Sequence, residues 1–297
     1  MYTVIIWCLI ALFLLQPGLA REGAVFGIEL FSEALLPYLL PYLILTQWLL
    51  RLPGKEPKRR TGTYWKTYLL GAFGGFPVGA VSVSHQVRDG RLTKREGALL
   101  TAICHAPSSM LLIGYVGNEL FGRASVGWLL MAVIHGLNLI FLLILSVRSS
   151  IHPERPPVSS DIPKRKTGSP LTESLKDSSQ TIVLVATTVV FFSAVGTVAA
   201  DLLSRLSPLD AQTAGMAVFP LFEMTAGLQT AYDLFSGMEL HAALTALILS
   251  MNGLSIHLQV AVIARGAGIP MRWYAAARLA HMIIVPPVFM LLLSFLT

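Results

Sequence analysis

Two neighbouring polar residues inside an apolar stretch are the first candidates for chemistry. Glu223 and Thr225 follow Phe219-Pro220 within the apolar run 212–235. An ionisable group at membrane depth costs about 2.5–3.5 kcal/mol on insertion scales, so the groups that occur there tend to be functional. We therefore expect Glu223, together with Thr225, to contact a ligand or to hold a proton or cation. The alternative is a carboxyl group at the membrane interface that local backbone donors satisfy.

A denser polar group occurs in an apolar segment closer to the C-terminus. Asn252-Gly253 is a dipeptide that breaks helices, so an unwound helix is expected there. Freed carbonyls, an amide and a hydroxyl together coordinate a cation or bind a sugar or base edge. The alternative is hydrogen bonding between helices, worth about 0.6–2 kcal/mol for each bond. Asn252 and Ser255 are the stronger ligand candidates, ahead of His257 and Gln259.

The first half of the chain carries a matching polar set. His105, Ser108 and Ser109 follow Cys104, and Pro107 helps to break the helix at this point. We expect these three residues to contribute to the same kind of site. The alternative for His105 is a packed, hydrogen-bonded side chain.

Two pairs of polar residues are spaced one helical turn apart. They are His135 with Asn138, and Arg278 with His281. We interpret both pairs as contacts between helices, or as side chains that extend to the membrane interface.

The sequence has no pattern typical of an enzyme or a metal site. GxSxG, HExxH and phosphate-binding glycine motifs are absent, and the seven His residues are scattered over separate segments. Ser255 and His257 are the nearest nucleophile–base pair, but residues two apart point to different faces of a helix. We therefore expect no enzymatic activity, no cofactor and no metal.

The composition is that of a membrane protein. Of the 297 residues, 54% are hydrophobic and 13% are charged, whereas soluble domains carry roughly 25% charged residues. The net charge of +6 comes from basic residues between apolar runs, where such residues report orientation in the membrane. We expect the lipid bilayer, and no nucleic acid, among the partners.

Seven apolar runs approach the ~20 residues that a membrane-spanning helix needs. The first run also has some features of a signal peptide, which is the alternative to an uncleaved helix. Two further stretches, 67–85 and 212–235, are apolar but interrupted by Gly, Pro or acidic residues. The seven runs are 3–20, 27–50, 97–117, 125–147, 179–203, 242–262 and 274–296.

The distribution of positive charge predicts that the two interrupted stretches are re-entrant hairpins. Eighteen of the 22 Lys and Arg residues lie in four segments: 51–66, 86–96, 148–178 and 263–273. All four segments are cytoplasmic if each interrupted stretch enters and leaves the membrane on one side, as the positive-inside rule favours. The N-terminus is then cytoplasmic and the C-terminus lies outside.

The two halves of the chain then have the same order of elements with opposite orientation. This arrangement predicts an inverted-topology repeat of the kind found in secondary transporters; the alternative is chance similarity between apolar segments. The expected parts are an N-terminal helix (1–26), a first repeat (27–147), a basic cytoplasmic linker (148–178) and a second repeat (179–297).

Glycine and proline at the expected hairpin tips are compatible with a buried, irregular backbone. In a membrane such a backbone is tolerated only inside protein or along a cavity. Glycine permits tight turns and close approach of helices, and proline helps to end a helical limb. The residues assigned to this structural role are Gly74, Gly75, Pro77, Gly79 and Pro220.

Five motifs of the chain together carry a resemblance to a known family. The motifs are GGFPVGA (74–80), RDGRLTKREGALL (88–100), GYVG (114–117), FEMTAGL (222–228) and NGLSIHLQV (252–260). They resemble the YlbJ-type sporulation integral membrane proteins of the Gate-domain, or nucleoside-recognition, group. The group is similar in architecture to concentrative nucleoside transporters, in which hairpin tips and broken helices form the substrate site. In the first half this chain departs from the family pattern, because His105-Ala106 replaces an Asn-rich stretch.

The resemblance implies a role in endospore formation, at a forespore membrane. The combined expectation is an all-α polytopic membrane protein, similar to concentrative nucleoside transporter cores, that moves or senses a small polar solute by alternating access. A coupling cation and self-association into a homo-oligomer are left open. The alternative function is a non-transporting structural or assembly protein of the forespore membrane.

Overall fold

The computed structural model describes residues 2–52, 60–151 and 169–296, and within these ranges every regular element is a helix. Five of the helical stretches are long and apolar enough to cross a membrane. The expectation of an all-α membrane protein is therefore confirmed. The five stretches are Pro17–Leu49, Ala124–Arg148, Pro170–Leu206, Glu239–Arg265 and Arg272–Leu293.

The described part of the first half contains nine helical segments, two of them π-helical. Seven α-helices are α1 (Tyr2–Leu15), α2 (Pro17–Glu29), α3 (Leu36–Arg51), α4 (Arg60–Gly74), α5 (Phe76–Arg88), α6 (Lys94–Ile103) and α7 (Ala124–Ile151). The π-helical segments are π1 (Leu30–Leu35) and π2 (Leu111–Leu120).

The second half of the described chain contains six α-helices. They are α8 (Pro170–Leu206), α9 (Ala211–Phe222), α10 (Met224–Phe235), α11 (Glu239–Met251), α12 (Gly253–Arg265) and α13 (Arg272–Leu293).

The beginning of the chain differs from the expected runs 3–20 and 27–50. The break falls at Gln16, and α2, π1 and α3 follow one another without interruption from Pro17 to Arg51. Proline favours the first turn of a helix, because it has no N–H to satisfy and its φ angle is already helical. The boundary expected at residue 26 therefore lies inside a helix.

The expected linker 148–178 is helical at both ends. Helix α7 continues to Ile151 and α8 begins at Pro170. The basic residues Arg155, Lys164, Arg165 and Lys166 lie outside the described residues, as do Lys55, Lys58 and Arg59 of the preceding basic segment. The cytoplasmic role of the linker stays a prediction.

The expected run 97–117 is a broken helix. Its first part, α6, begins with a capping box in which Thr93 and Glu96 satisfy each other's backbone N–H groups. Such reciprocal capping fixes the start of a helix. Glu96 also accepts hydrogen bonds from the Tyr64 hydroxyl at 2.5 Å and from Arg60 at 2.7 Å. Residues 104–108 are not helical, and the chain is helical again from residue 109 into π2.

The chain divides into two compact units. The first unit comprises Met1–Pro37 and Val183–Leu258, and the second comprises Tyr38–Ile182 and Gln259–Thr297. In the first unit, α2 packs closely on α8: a Cβ atom added to Gly27 would lie 2.8 Å from the Val190 Cα. Glycine at such a position lets two helix backbones approach.

Each expected hairpin consists of two helices that pack together and are joined at a single residue. In the second unit, α4 and α5 meet at Gly71 and Gly79, where a Cβ on Gly71 would lie 3.1 Å from the Gly79 Cα. In the first unit, α9 and α10 meet at Pro220 and Gly227, where a Cβ on Gly227 would lie 2.7 Å from the Pro220 Cα. Glycine and proline therefore bring the helices of each pair together.

Candidate functional site

Glu223 is the junction between α9 and α10 in the first unit. Its backbone is extended (φ −140°, ψ 120°), and its carboxylate accepts a hydrogen bond of 2.6 Å from the Ala226 N–H. A carboxylate in this position caps the following helix and lies at the positive end of the helix dipole. The local backbone donor foreseen in the alternative interpretation of Glu223 is therefore present.

Asn252 is the junction between α11 and α12. It has a left-handed backbone (φ 76°), and Gly253 after it also has a positive φ of 69°. Asparagine tolerates this conformation better than most residues with a Cβ atom. The helix break expected at Asn252-Gly253 is therefore confirmed, and it is limited to this one junction.

The two helix junctions lie against each other. A Cβ atom on Gly253 would be 3.1 Å from the Met224 backbone nitrogen and 3.3 Å from the Pro220 carbonyl oxygen. Glycine therefore allows the break in α11–α12 to approach the backbone of the α9–α10 junction. Irregular backbone from two helix pairs thus converges at one place in the first unit.

The expected ligand residues of this region are brought together and are completely enclosed. Ser255 donates a long hydrogen bond of 3.5 Å to the second carboxylate oxygen of Glu223. Glu223, Thr225, Asn252 and Ser255 are each 1% exposed or less. A carboxylate, two hydroxyls and an amide enclosed in this way can bind hydrogen-bond donors or a hard cation. We call these four residues the Glu223 site.

The role of Gln259 as a ligand stays a prediction, as does the weaker assignment of His257. The first unit ends at Leu258, so Gln259 belongs to the second unit, where it is buried. His257 is half-buried and lies in the first unit. The structure therefore divides the polar run 252–259 between the two units.

A helix junction in the second unit also lies against a helix break. Gly75 joins α4 and α5 with a φ of 78°, and a Cβ atom there would lie 2.9 Å from the Ser108 Cβ. A Cβ on Gly79 would lie 2.5 Å from the Cys104 carbonyl oxygen. The hairpin junction thus packs on the break between α6 and π2, as the Glu223 junction packs on Asn252-Gly253.

The three candidates at this second junction have local partners. His105 is fully buried, its Nε2 lies 3.1 Å from the Tyr274 hydroxyl, and its ring packs on Phe76. Ser108 accepts a hydrogen bond from the Leu111 N–H at 3.1 Å, and the Ser109 hydroxyl donates to the Ala72 carbonyl at 3.4 Å. These contacts match the packed, hydrogen-bonded alternative for His105.

A larger polar cluster in the second unit was recognised only in part from the sequence. Arg278 is 3% exposed and donates to the carbonyl of Ala102 at 3.4 Å. Extension of Arg278 to the membrane interface is therefore excluded, and its role as a contact between helices is supported. The cluster combines residues of α4, α7 and α13, and we call it the Arg278 cluster: Tyr68, His135, Asn138, Tyr274, Arg278 and His281.

Sequence spacing did not indicate which helices bring these residues together, because they are distributed over three helices. The available signal was that α7 and α13 each carry a pair of polar residues one turn apart within apolar surroundings. Polar residues on apolar helices tend to face each other. Tyr68 and Tyr274 carried no such signal.

The described part of the chain contains no group of three His, Cys, Asp or Glu side chains that could hold a metal ion. Comparisons of the sequence with protein-family models and with curated proteins, and of the fold with solved structures, gave no match.

Proposed function

We propose that this chain is a transporter-like membrane protein that moves or senses a small polar solute, with the Glu223 site as its solute-binding site. The observation that carries the proposal is the meeting of two helix junctions at Glu223 and Asn252. Buried irregular backbone in a membrane protein occurs inside protein or along a cavity, and broken helices are the usual position of transporter sites.

The order of elements supports an inverted repeat. The first half has a long helix (α2 to α3), a helix pair (α4–α5), a broken helix (α6–π2) and a long helix (α7). The second half has α8, the pair α9–α10, the broken helix α11–α12 and α13. If each pair is a re-entrant hairpin, each half crosses the membrane three times and the halves insert with opposite orientation. Alternating access is the mechanism that such a repeat serves.

The chemistry of the Glu223 site favours a solute that donates hydrogen bonds. Glu223 offers carboxylate oxygens, Asn252 an amide, and Ser255 a hydroxyl. Hydrogen bonds from a neutral donor to a carboxylate contribute about 1.5–3 kcal/mol. Nucleoside-like molecules and other polyhydroxyl or amide compounds fit this requirement, and a coupling cation fits the carboxylate.

A binding screen of the purified protein tests the proposal. Thermal shifts are measured with nucleosides, amino acids and dicarboxylates, and the best solute is then assayed for uptake into proteoliposomes. Glu223→Gln should weaken binding by about tenfold or more, since it replaces a charged acceptor with a neutral one. The matched control is Glu239→Gln at an exposed carboxylate of the same unit, which should bind and transport as the wild type does.

A role in spore formation rests on the resemblance of FEMTAGL (222–228) and NGLSIHLQV (252–260) to the sporulation family. We place the protein in a forespore membrane, with linker 148–178 cytoplasmic and the C-terminus outside. A strain carrying Glu223→Gln should accumulate the protein but form fewer spores. Normal sporulation with Glu223→Gln and with Asn252→Ala would instead support the alternative of a scaffold or assembly protein.

A further inference from the structure

The Arg278 cluster lies in the second unit and takes no part in the proposed Glu223 site. Its centre is the guanidinium of Arg278, which is fixed by the Ala102 carbonyl and lies 3.4 Å from Nδ1 of His281. Ala102 is in the last turn of α6, so this carbonyl is at the negative end of the helix dipole. A buried positive charge is thereby held in one position.

Helix α7 covers this charge with further polar groups. His281 on α13 lies against Phe141 on α7, with ring centroids 6.0 Å apart. Asn138 is one turn before Phe141 and His135 is one turn before Asn138, so the three share a helix face. The polar faces of α7 and α13 are therefore turned towards each other.

Several polar atoms on these faces have capacity for a ligand. Asn138 is 0% exposed, and neither atom of its amide has a hydrogen-bond partner among the described residues. Nε2 of His281 also has none, but Nδ1 of this ring lies 2.7 Å from the Ala277 carbonyl and donates to it, so Nε2 of the neutral ring is an acceptor. Native proteins rarely leave buried polar atoms unsatisfied, because each costs desolvation free energy that no hydrogen bond returns. A bound species that accepts from the Asn138 amide nitrogen would remove the part of this cost that belongs to its N–H donors.

The composition of the cluster determines the charge of that species. The six residues provide one permanent cation, two imidazoles, one amide and two phenols, and they include no carboxylate. We propose that the Arg278 cluster binds a small monovalent anion, a halide or the carboxylate of an organic acid, between α7 and α13. The anion accepts hydrogen bonds from the Arg278 guanidinium and from the Asn138 amide nitrogen. Its charge is opposite to that of Arg278, and the low dielectric of the buried site strengthens their attraction.

Anion-dependent stability of the purified full-length protein tests this site. Isethionate is replaced stepwise by chloride in one series and by acetate in another, at constant ionic strength, and the melting temperature is recorded. We expect a saturable rise in melting temperature. If the chloride series saturates at the lower concentration, the site is assigned to halides, and if the acetate series does, it is assigned to carboxylates. No saturable rise in either series would overturn the proposal and would indicate that water alone fills the cluster.

Variants test whether the anion-dependent rise in melting temperature arises at the Arg278 cluster. Arg278→Gln and Asn138→Leu should each raise the half-saturating concentration by about tenfold or more. The matched control is Arg205→Gln at an arginine that is 65% exposed, for which half-saturation should stay within about twofold of the wild type, because exposed ion pairs contribute little. Asn138→Leu keeps the size of the side chain, so it remains informative if Arg278→Gln does not accumulate. Unchanged half-saturation in Asn138→Leu would contradict a site at this cluster.

Discussion

At the scale of single residues, the helix junctions depend on backbone conformations that few side chains accept. Gly75 combines a φ of 78° with a ψ of −165°, a region occupied almost only by glycine. Asn252 is left-handed, with a φ of 76° and a ψ of −10°, which asparagine tolerates. The conformation therefore explains the residue type at both junctions, and Asn252 adds a polar side chain.

Gly75→Ala should destabilise the protein by about 1–3 kcal/mol, the usual cost of such a backbone conformation for a residue with a Cβ atom. The contact of 2.9 Å with the Ser108 Cβ adds to this cost. The measurement is thermal or denaturant unfolding in detergent. The matched control is Gly136→Ala in α7, where an added Cβ meets no atom within 4 Å and alanine favours the helix. Equal stability of the two variants would contradict the assigned role of Gly75.

Asn252→Gly separates the backbone role of this residue from its side-chain role. Glycine accepts the left-handed conformation, so the variant should unfold at nearly the same temperature as the wild type. It lacks the amide, so solute binding at the Glu223 site should fall by about tenfold. Asn252→Ala should lose both stability and binding. If Asn252→Gly binds solute normally, Asn252 serves only the backbone.

At the scale of helices and helix pairs, the sequence indicated where helices break better than where they continue. The breaks at Gly75, Glu223 and Asn252 were foreseen because glycine, proline and Asn-Gly oppose helix formation locally. The uninterrupted helix from Pro17 to Arg51 was not foreseen. Its segment 21–26 contains charged residues that resemble a loop, but Arg and Glu are good helix formers.

The Arg278 cluster illustrates the other limit of sequence reasoning. A polar residue on an apolar helix shows that a partner exists, but not which helix supplies it. Tyr274 and Arg278 are separated from Ala102 and His105 by more than 160 positions. Contacts of this kind come from tertiary packing, which local spacing does not encode.

The start of α6 offers a test at this scale. Tyr64 is fully buried and donates to Glu96, which also caps α6. Tyr64→Phe should destabilise the protein by about 1–3 kcal/mol, since the carboxylate loses a buried donor. Tyr42→Phe is the control, because Tyr42 is partly exposed and its side chain makes no hydrogen bond with the described residues. A similar unfolding midpoint for both variants would show that the Tyr64 hydroxyl is dispensable.

At the scale of the whole molecule, the proposed function requires that both helix pairs enter and leave the membrane on one side. The charge distribution favours this arrangement, because 18 of the 22 Lys and Arg residues then lie on the cytoplasmic side. The helix pairs α4–α5 and α9–α10 have suitable lengths, since helices of 15, 13, 12 and 12 residues are short for the ~20 residues of a full span.

Single cysteines in a chain without Cys8 and Cys104 test this topology. Leu52→Cys and Asp89→Cys flank the first helix pair, and Leu206→Cys and Met238→Cys flank the second.

Labelling with a membrane-impermeant maleimide should give the same sidedness within each of these pairs and opposite sidedness between them. The control is labelling after the membrane is made permeable, when all four sites should react. Opposite sidedness within either pair would show that the helices of that pair cross the membrane completely. This result would contradict the inverted repeat.

The length of α8 has a mechanical consequence. Its 37 residues form a rod of about 56 Å at 1.5 Å per residue, whereas the hydrocarbon layer is about 30 Å thick. A helix of this length either tilts strongly in the membrane or extends into the aqueous phase. Its first turns carry Asp177, which is paired with Arg51 at the end of α3. Because this ion pair joins the start of α8 to the end of α3, we expect a change in the tilt of α8 to move the end of α3 with it.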